Sequence, residues 1–147
     1  MENVSGSGLV ITLVASKTMP TGMQITQFAD DADPFDMPSI AIGDKAMGLN
    51  GDLVTWRKAV PKDVTINVIP GSDDDVNLQI LAQANTPGRG RFPLNDEITM
   101  TAVYPSGSVV IAKGGTITNA APGNSVASSG RLKTKAYVFA FESVLSF

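Results

Sequence analysis

The 147-residue chain contains no histidine and no cysteine. Without imidazole there is no Ser-His-Asp relay and no His-ligated metal. Without thiols there is no disulfide, no thiolate nucleophile and no Cys-zinc site. Aromatic residues make up only 6% of the chain. A long hydrophobic run is also missing. The apolar stretch at residues 9–15 (LVITLVA) is far short of the roughly 20 residues that span a bilayer. The opening Met1-Glu2-Asn3 is acidic where a secretory signal is basic. These absences predict a soluble protein made in a cytoplasm, with no membrane partner. Phosphate-loop and Ser-x-x-Lys patterns are absent as well. Carboxylates, lysines, hydroxyls and tyrosines remain, and no spacing selects a facing acid pair for catalysis. The expectation is a chain that is not an enzyme and carries no cofactor and no metal.

What is present is 43% apolar residues with 14 glycines and 9 prolines, enough for one domain with a real core. No linker or repeat divides it, so residues 1–147 read as a single domain. Charge is unevenly placed. Thirteen acids and seven bases precede Ile98, net −6; one acid and four bases follow, net +3. Five aspartates (Asp30, Asp31, Asp33, Asp36 and Asp44) fall between Lys17 and Lys45 with no base among them. Solvated loops explain such clusters, and so does a subunit whose acidic face meets a basic face on the next copy. An acidic chain is unsuited to gripping duplex DNA, which needs a positive patch.

The hydrophobic pattern is mostly of period two. Strands are expected at residues 9–15, 23–28, 39–42, 53–58, 64–69, 97–104 and 108–112, with a continuation at 116–118. The last and strongest is expected at 132–141. Tyr137, Phe139 and Phe141 on one side of it predict a core wall. Met19-Pro20-Thr21-Gly22, Asn50-Gly51-Asp52 and Pro105-Ser106-Gly107 read as turns. Residues 30–38 read as an exposed acidic loop, Gly114-Gly115 as a bulge or bend, and residues 121–130 as a mobile loop.

The one good helix signal spans about residues 72–85. Ser72 is the expected N-cap, Asp73, Asp74 and Asp75 complement the dipole, and Asn85-Thr86-Pro87-Gly88 stops it. Val76, Ile80, Leu81 and Ala84 suggest its apolar stripe. The three aspartates read as capping residues before they read as a metal site, and Asp31-x-Asp33-x-x-Asp36 lacks the glycine and late glutamate of a calcium loop. Gly88-Arg89-Gly90-Arg91 reads as a solvated turn. Trp56 fits core or subunit interface better than a base-stacking platform. The sum is a mainly β fold: an antiparallel β-sandwich or bent barrel with one flanking α-helix.

The order of these segments carries a resemblance. Asp33-Pro34-Phe35 is followed by Gly48-Leu49-Asn50-Gly51-Asp52-Leu53-Val54-Thr55-Trp56, then by the strand from Asp63 through Pro70-Gly71-Ser72, the helix and a late lysine-bearing strand. This order resembles the tail tube proteins of contractile-tailed bacteriophages. The resemblance implies hexameric rings stacked into a hollow tube for genome ejection, with each subunit lending strands to an inner β-barrel. It implies a tail sheath outside, baseplate and tail terminator proteins at the ends, and tape measure protein and viral DNA in the lumen. The setting would be the virion, assembled in the host cytoplasm. It has no catalytic motif to carry over. A tail-completion or baseplate ring protein, the tube of a pyocin- or secretion-type injector, a monomeric sugar- or peptide-binding β-sandwich and a carboxylate hydrolase are the alternatives. The candidate contact residues between copies are Asp30, Asp31, Asp33 and Asp36, with Arg57, Lys58, Arg131, Lys133 and Lys135 as possible opposite charges. A channel that passes DNA is expected to be acidic or neutral, since a positive wall would hold the phosphates.

Overall fold

A computed structural model describes residues 4–147; the acidic opening Met1-Glu2-Asn3 lies outside them. Nine strands and one helix follow in the order β1 (Val10–Ala15), β2 (Met19–Ile25), β3 (Phe35–Asp36), β4 (Gly43–Met47), β5 (Leu53–Arg57), β6 (Lys62–Val68), α1 (Asp73–Ala84), β7 (Ile98–Val103), β8 (Val109–Ala120) and β9 (Lys135–Ser146). Seven strands form one antiparallel sheet in the order β2-β1-β7-β8-β9-β6-β3, while β4 and β5 form a two-stranded sheet of their own. Among the described residues no helix is long and apolar enough to cross a membrane.

The large sheet curls around a single core. Alternate residues of its strands point inward, as period two requires: Ile11 and Leu13, Val64 and Ile66, Ile98 and Met100, and the wall of Tyr137, Phe139 and Phe141 are all essentially inaccessible. The sheet does not close into a barrel, but one rim is tied. The chain leaving β2 bridges to the end of β6 at Phe28 and Val68, with Ala29 N–H donating to the Asn67 carbonyl at 3.1 Å. Gly114-Gly115 is a bulge, as expected: β7 runs from Ile98 to Met100 while β8 needs Ala112 to Gly115. Gly114 takes φ +65°, and a Cβ on Gly115 would lie 2.2 Å from the Phe141 ring, so only glycine lets β8 cross that ring.

Several boundaries differ from expectation. β2 begins at Met19, inside the expected turn, because the reversal is made by residues 16–18 and Pro20 sits on a sheet edge where its missing N–H is harmless. The expected strand at 39–42 lies instead at Gly43–Met47, and a two-residue strand, β3, interrupts the acidic loop. β9 starts at Lys135 and runs to Ser146, since both β6 and β8 pair along it. The loop at 121–130 is tied back by bonds from Ala127 N–H to the Arg131 carbonyl (2.8 Å) and Lys133 N–H to the Ser125 carbonyl (2.7 Å).

The helix carries the largest correction. Ser72 caps it as expected, accepting from Asp75 N–H at 3.2 Å. The buried face, however, is Asp74, Asp75, Leu78, Leu81 and Ala82, and Val76 and Ile80 are about half exposed. Two acids win burial over two aliphatics because each has donors waiting. Asp74 accepts from Thr26 N–H and Gln27 N–H, both at 2.8 Å, clamping the chain that leaves β2. Asp75 faces β9.

A third buried acid secures the helix's other end. Asp96 accepts from Lys17 N–H (2.8 Å), Thr18 N–H (3.0 Å), Asn85 Nδ2 (2.8 Å) and the Thr18 hydroxyl. Burial pushes its pKa up, but the donors of Thr18, Asn85 and Lys17 outweigh burial and hold it below the usual carboxylate value. The lowered folded-state pKa adds stability above the unfolded value of about 3.9, and that stability is lost as pH falls through the folded value. Asp96→Asn is therefore expected to lower the unfolding free energy at pH 7 by about 1.5–3 kcal/mol. The gap to the parent chain should narrow below a pH of about 4. Urea midpoints for both chains at neutral and acid pH measure it.

Candidate functional site

The part of the molecule with unmet physical requirements is the β4–β5 hairpin. Its register pairs Asp44 with Trp56, Ala46 with Val54 and Met47 with Leu53. The turn closes through Gly48 N–H to the Asp52 carbonyl (2.8 Å) and Gly51 N–H to the Gly48 carbonyl (2.9 Å), with Gly51 at φ +89°. Every residue of β5 is exposed, and every residue of β4 but Gly43. Alternation puts Ile42, Ala46, Val54 and Trp56 on one face and Lys45, Met47, Leu53, Thr55 and Arg57 on the other. Met47 is 66% exposed, Leu53 62%, and Leu49 at the tip fully so.

A two-stranded hairpin is marginal in water without packing on a third element. This one also has apolar side chains on both faces and, within its sheet, two unpaired outer edges, a template for another chain. Asn50-Gly51 signalled the turn in the sequence. A further signal in the sequence is the density of Ile42, Met47, Leu49, Leu53 and Val54 around that turn. Trp56, read as core or interface, is 46% exposed on this hairpin, so it is not core.

The nominated charges divide into three groups. Some are already satisfied inside the chain. Arg131 Nη2 lies 2.6 Å from Asp30 Oδ1, and the Thr134 hydroxyl donates to Asp31. The Arg131 hydrogen bond holds the Asp30 carboxyl below its usual pKa and raises that of Arg131 in turn. Lys58 is 4.0 Å from Asp44 across the hairpin base. Others are open to solvent. Asp33, Asp36, Arg57 and Lys133 are exposed and form no ion pair among the described residues. Lys135 belongs to the interior, which removes it from any surface role. Its ammonium is 3.5 Å from Asp75 Oδ1 and 2.9 Å from Gln79 Oε1, with both charged side chains under a tenth exposed. Tyr137 donates to the same Asp75 oxygen at 2.8 Å, and burial followed by that bond drives the phenol pKa far up. Asp74 and Asp75 serve different partners, and among the described residues no group of three or more acids could hold a metal ion.

The chain resembles known proteins over nearly its whole length. A family model described as tail fiber protein gp32 matches residues 2–145. No curated protein sequence matches the chain. Among solved structures, the sheath/tube terminator of an extracellular contractile injection system in its extended state aligns with a TM-score of 0.59 at 9% identity, covering all of this chain and 98% of that one. A chain of the sheath-tube complex of the same system gives 0.57 at 11% identity, with 99% and 92% covered. A chain of the anti-feeding prophage baseplate gives 0.55 at 6% identity, with 100% and 96% covered. At these identities the likeness is one of fold.

Proposed function

Because the chain belongs to the tail fiber protein gp32 family, and is thereby a structural protein of a phage-tail-like particle, we propose that its role is self-assembly into hexameric rings stacked as the hollow inner tube of a contractile tail. The observation that carries this reading is the hairpin. Its two apolar faces and two open edges are satisfied together if the hairpin inserts between sister copies, so that its edges meet neighbouring backbone and both faces meet neighbouring side chains. Curved sheets of neighbouring copies, side by side, then form the wall of the ring. A compact curved sheet without internal repeats suits a ring subunit better than an elongated rod. The proposed setting is a sheath outside, baseplate and terminator proteins at the ends, and tape measure protein and viral DNA in the lumen, in a virion assembled in the host cytoplasm. Asp33, Asp36 and Lys133 stay candidates for contacts between copies.

Electron microscopy of the purified chain tests this directly: rings and stacked tubes are expected. Trp56 supplies a second readout, since it is the chain's one tryptophan. Its emission is expected to shift to the blue as concentration rises, because association removes a half-exposed indole from water. A chain that stays monomeric at high concentration, with unchanged emission, overturns the proposal. A second reading is a ring that ends a tube, as a terminator or baseplate component. It is favoured by likenesses to such chains as strong as that to the sheath-tube complex. Isolated rings without stacking would distinguish it.

A further inference from the structure

Where the hairpin rejoins the large sheet, the outward face of β8 and β9 carries a groove. Its first part, about 480 Å³, runs beside Val60, Pro61 and Ala140 and is mostly apolar. It continues past Gly114 and Thr116 into a second, polar part of about 360 Å³ beside Glu97 and Glu142. The groove exists because of the β8 bulge. At Gly114 a Cβ would meet the Glu142 carboxylate at 3.0 Å, so the absent side chain keeps the floor open. Lys62 crosses one side to donate to the main-chain carbonyl of Glu142 at 2.9 Å. The carboxylates of Glu142 and Glu97 enter no ion pair among the described residues.

We propose that this groove receives the Lys45, Met47, Leu53 and Arg57 face of the β4–β5 hairpin of a second copy of the chain. The inference rests on the self-assembly reading and names its contact. Two cations and two exposed apolar side chains on the hairpin match two acids and an apolar trough, and neither set is satisfied within one subunit. Lys45 and Arg57, like the two glutamates, form no ion pair among the described residues. The five-residue strands carry the hairpin tip about 17 Å from its base, so it reaches across a subunit boundary. Knob and groove are different patches, so the contact is head-to-tail. Such a contact closes into a ring or runs on as a filament and does not stop at a two-fold dimer.

Charge exchange tests the contact. Glu142→Arg alone and Arg57→Glu alone are each expected to raise the concentration needed for assembly by about tenfold or more, since each sets like charges together. The combined variant is expected to assemble again. Both side chains are exposed, so circular dichroism should show folded chains. Cross-linking is independent of folding effects at those sites. The parent has no cysteine, so a Met47→Cys chain mixed with a Val60→Cys chain can form a disulfide heterodimer only between subunits. Efficient heterodimer formation supports the contact. Parent-like assembly of Glu142→Arg, a combined variant no better than either single one, or no cross-link within assembled rings overturns this docking while leaving self-assembly standing. A parent chain that never assembles overturns both.

Discussion

A chain carrying Val54→Asp and Trp56→Asp is expected to fold normally and to lose assembly. Both side chains lie on the hairpin face opposite the one proposed for the groove, and both are about half exposed in the single subunit. The hairpin forms its own small sheet, outside the core cluster. Melting of the monomer should therefore stay close to the parent. At an interface the same changes remove apolar burial and force two carboxylates to be desolvated. Half of the usual side-chain transfer energy for each, with the charge cost added, comes to about 2–4 kcal/mol per contact. That is a loss of about 30- to 1,000-fold in association per contact, and it recurs at every boundary of a ring. Sedimentation velocity and micrographs at matched concentration measure it. Tubes formed by this variant as readily as by the parent would remove the hairpin from the assembly account.

Lys135→Met is expected to have the opposite profile, with a large loss of stability and no direct effect on contacts between copies. Methionine keeps the length of the stem but strands Asp75, whose side chain is 5% exposed. Removing one member of a buried pair costs about 3–5 kcal/mol because the other charge stays buried without its counter-charge; the hydrogen bonds from Tyr137 and Gly71 that Asp75 keeps place the loss at the lower end. For a domain with about 5–15 kcal/mol in total, that is a large share. Adding Asp75→Asn should recover part of the loss, since a neutral amide oxygen can still accept from Tyr137 and no charge remains to be paired. Urea unfolding of the four chains in this cycle gives the coupling between the two positions. A Lys135→Met chain as stable as the parent would mean that the Lys135–Asp75 pair adds nothing net to holding the helix on β9, beyond the Tyr137 hydrogen bond and apolar packing. Lys135 shows how far a charge count can mislead. In the sequence it stands with Arg131 and Lys133 as one of three basic residues at alternate positions. In the fold the first pairs with Asp30, the second meets solvent and the third is walled in by α1.

Most of the framework was legible because its signals are local. Period-two runs placed the core strands, and the alternation of Tyr137, Phe139 and Phe141 marked the wall that the sheet closes over. Ser72 and the acids behind it located the helix start, and Pro105-Ser106-Gly107 the turn between β7 and β8. The candidate site was less legible. The hairpin turn was evident, but nothing local says that a run containing Val54 and Trp56 will find no partner inside its own subunit. The groove was invisible, since it is made by a missing side chain at Gly114 beside residues from three separated segments.

The sequence by itself determined the β-rich class, the single helix and its cap, the turns and the absence of imidazole and thiol chemistry, because each depends on residues within a few positions of one another. Tertiary structure alone decided which helix face is buried. Asp74 and Asp75 turn inward, and Val76 and Ile80 outward, because their donors arrive from Thr26 and Tyr137, 48 and 62 residues away. A buried carboxylate that meets such donors is held in place, and one without them would be expelled to water. Helical periodicity records only hydrophobicity along one turn, and carries no trace of what the sheet will present to it.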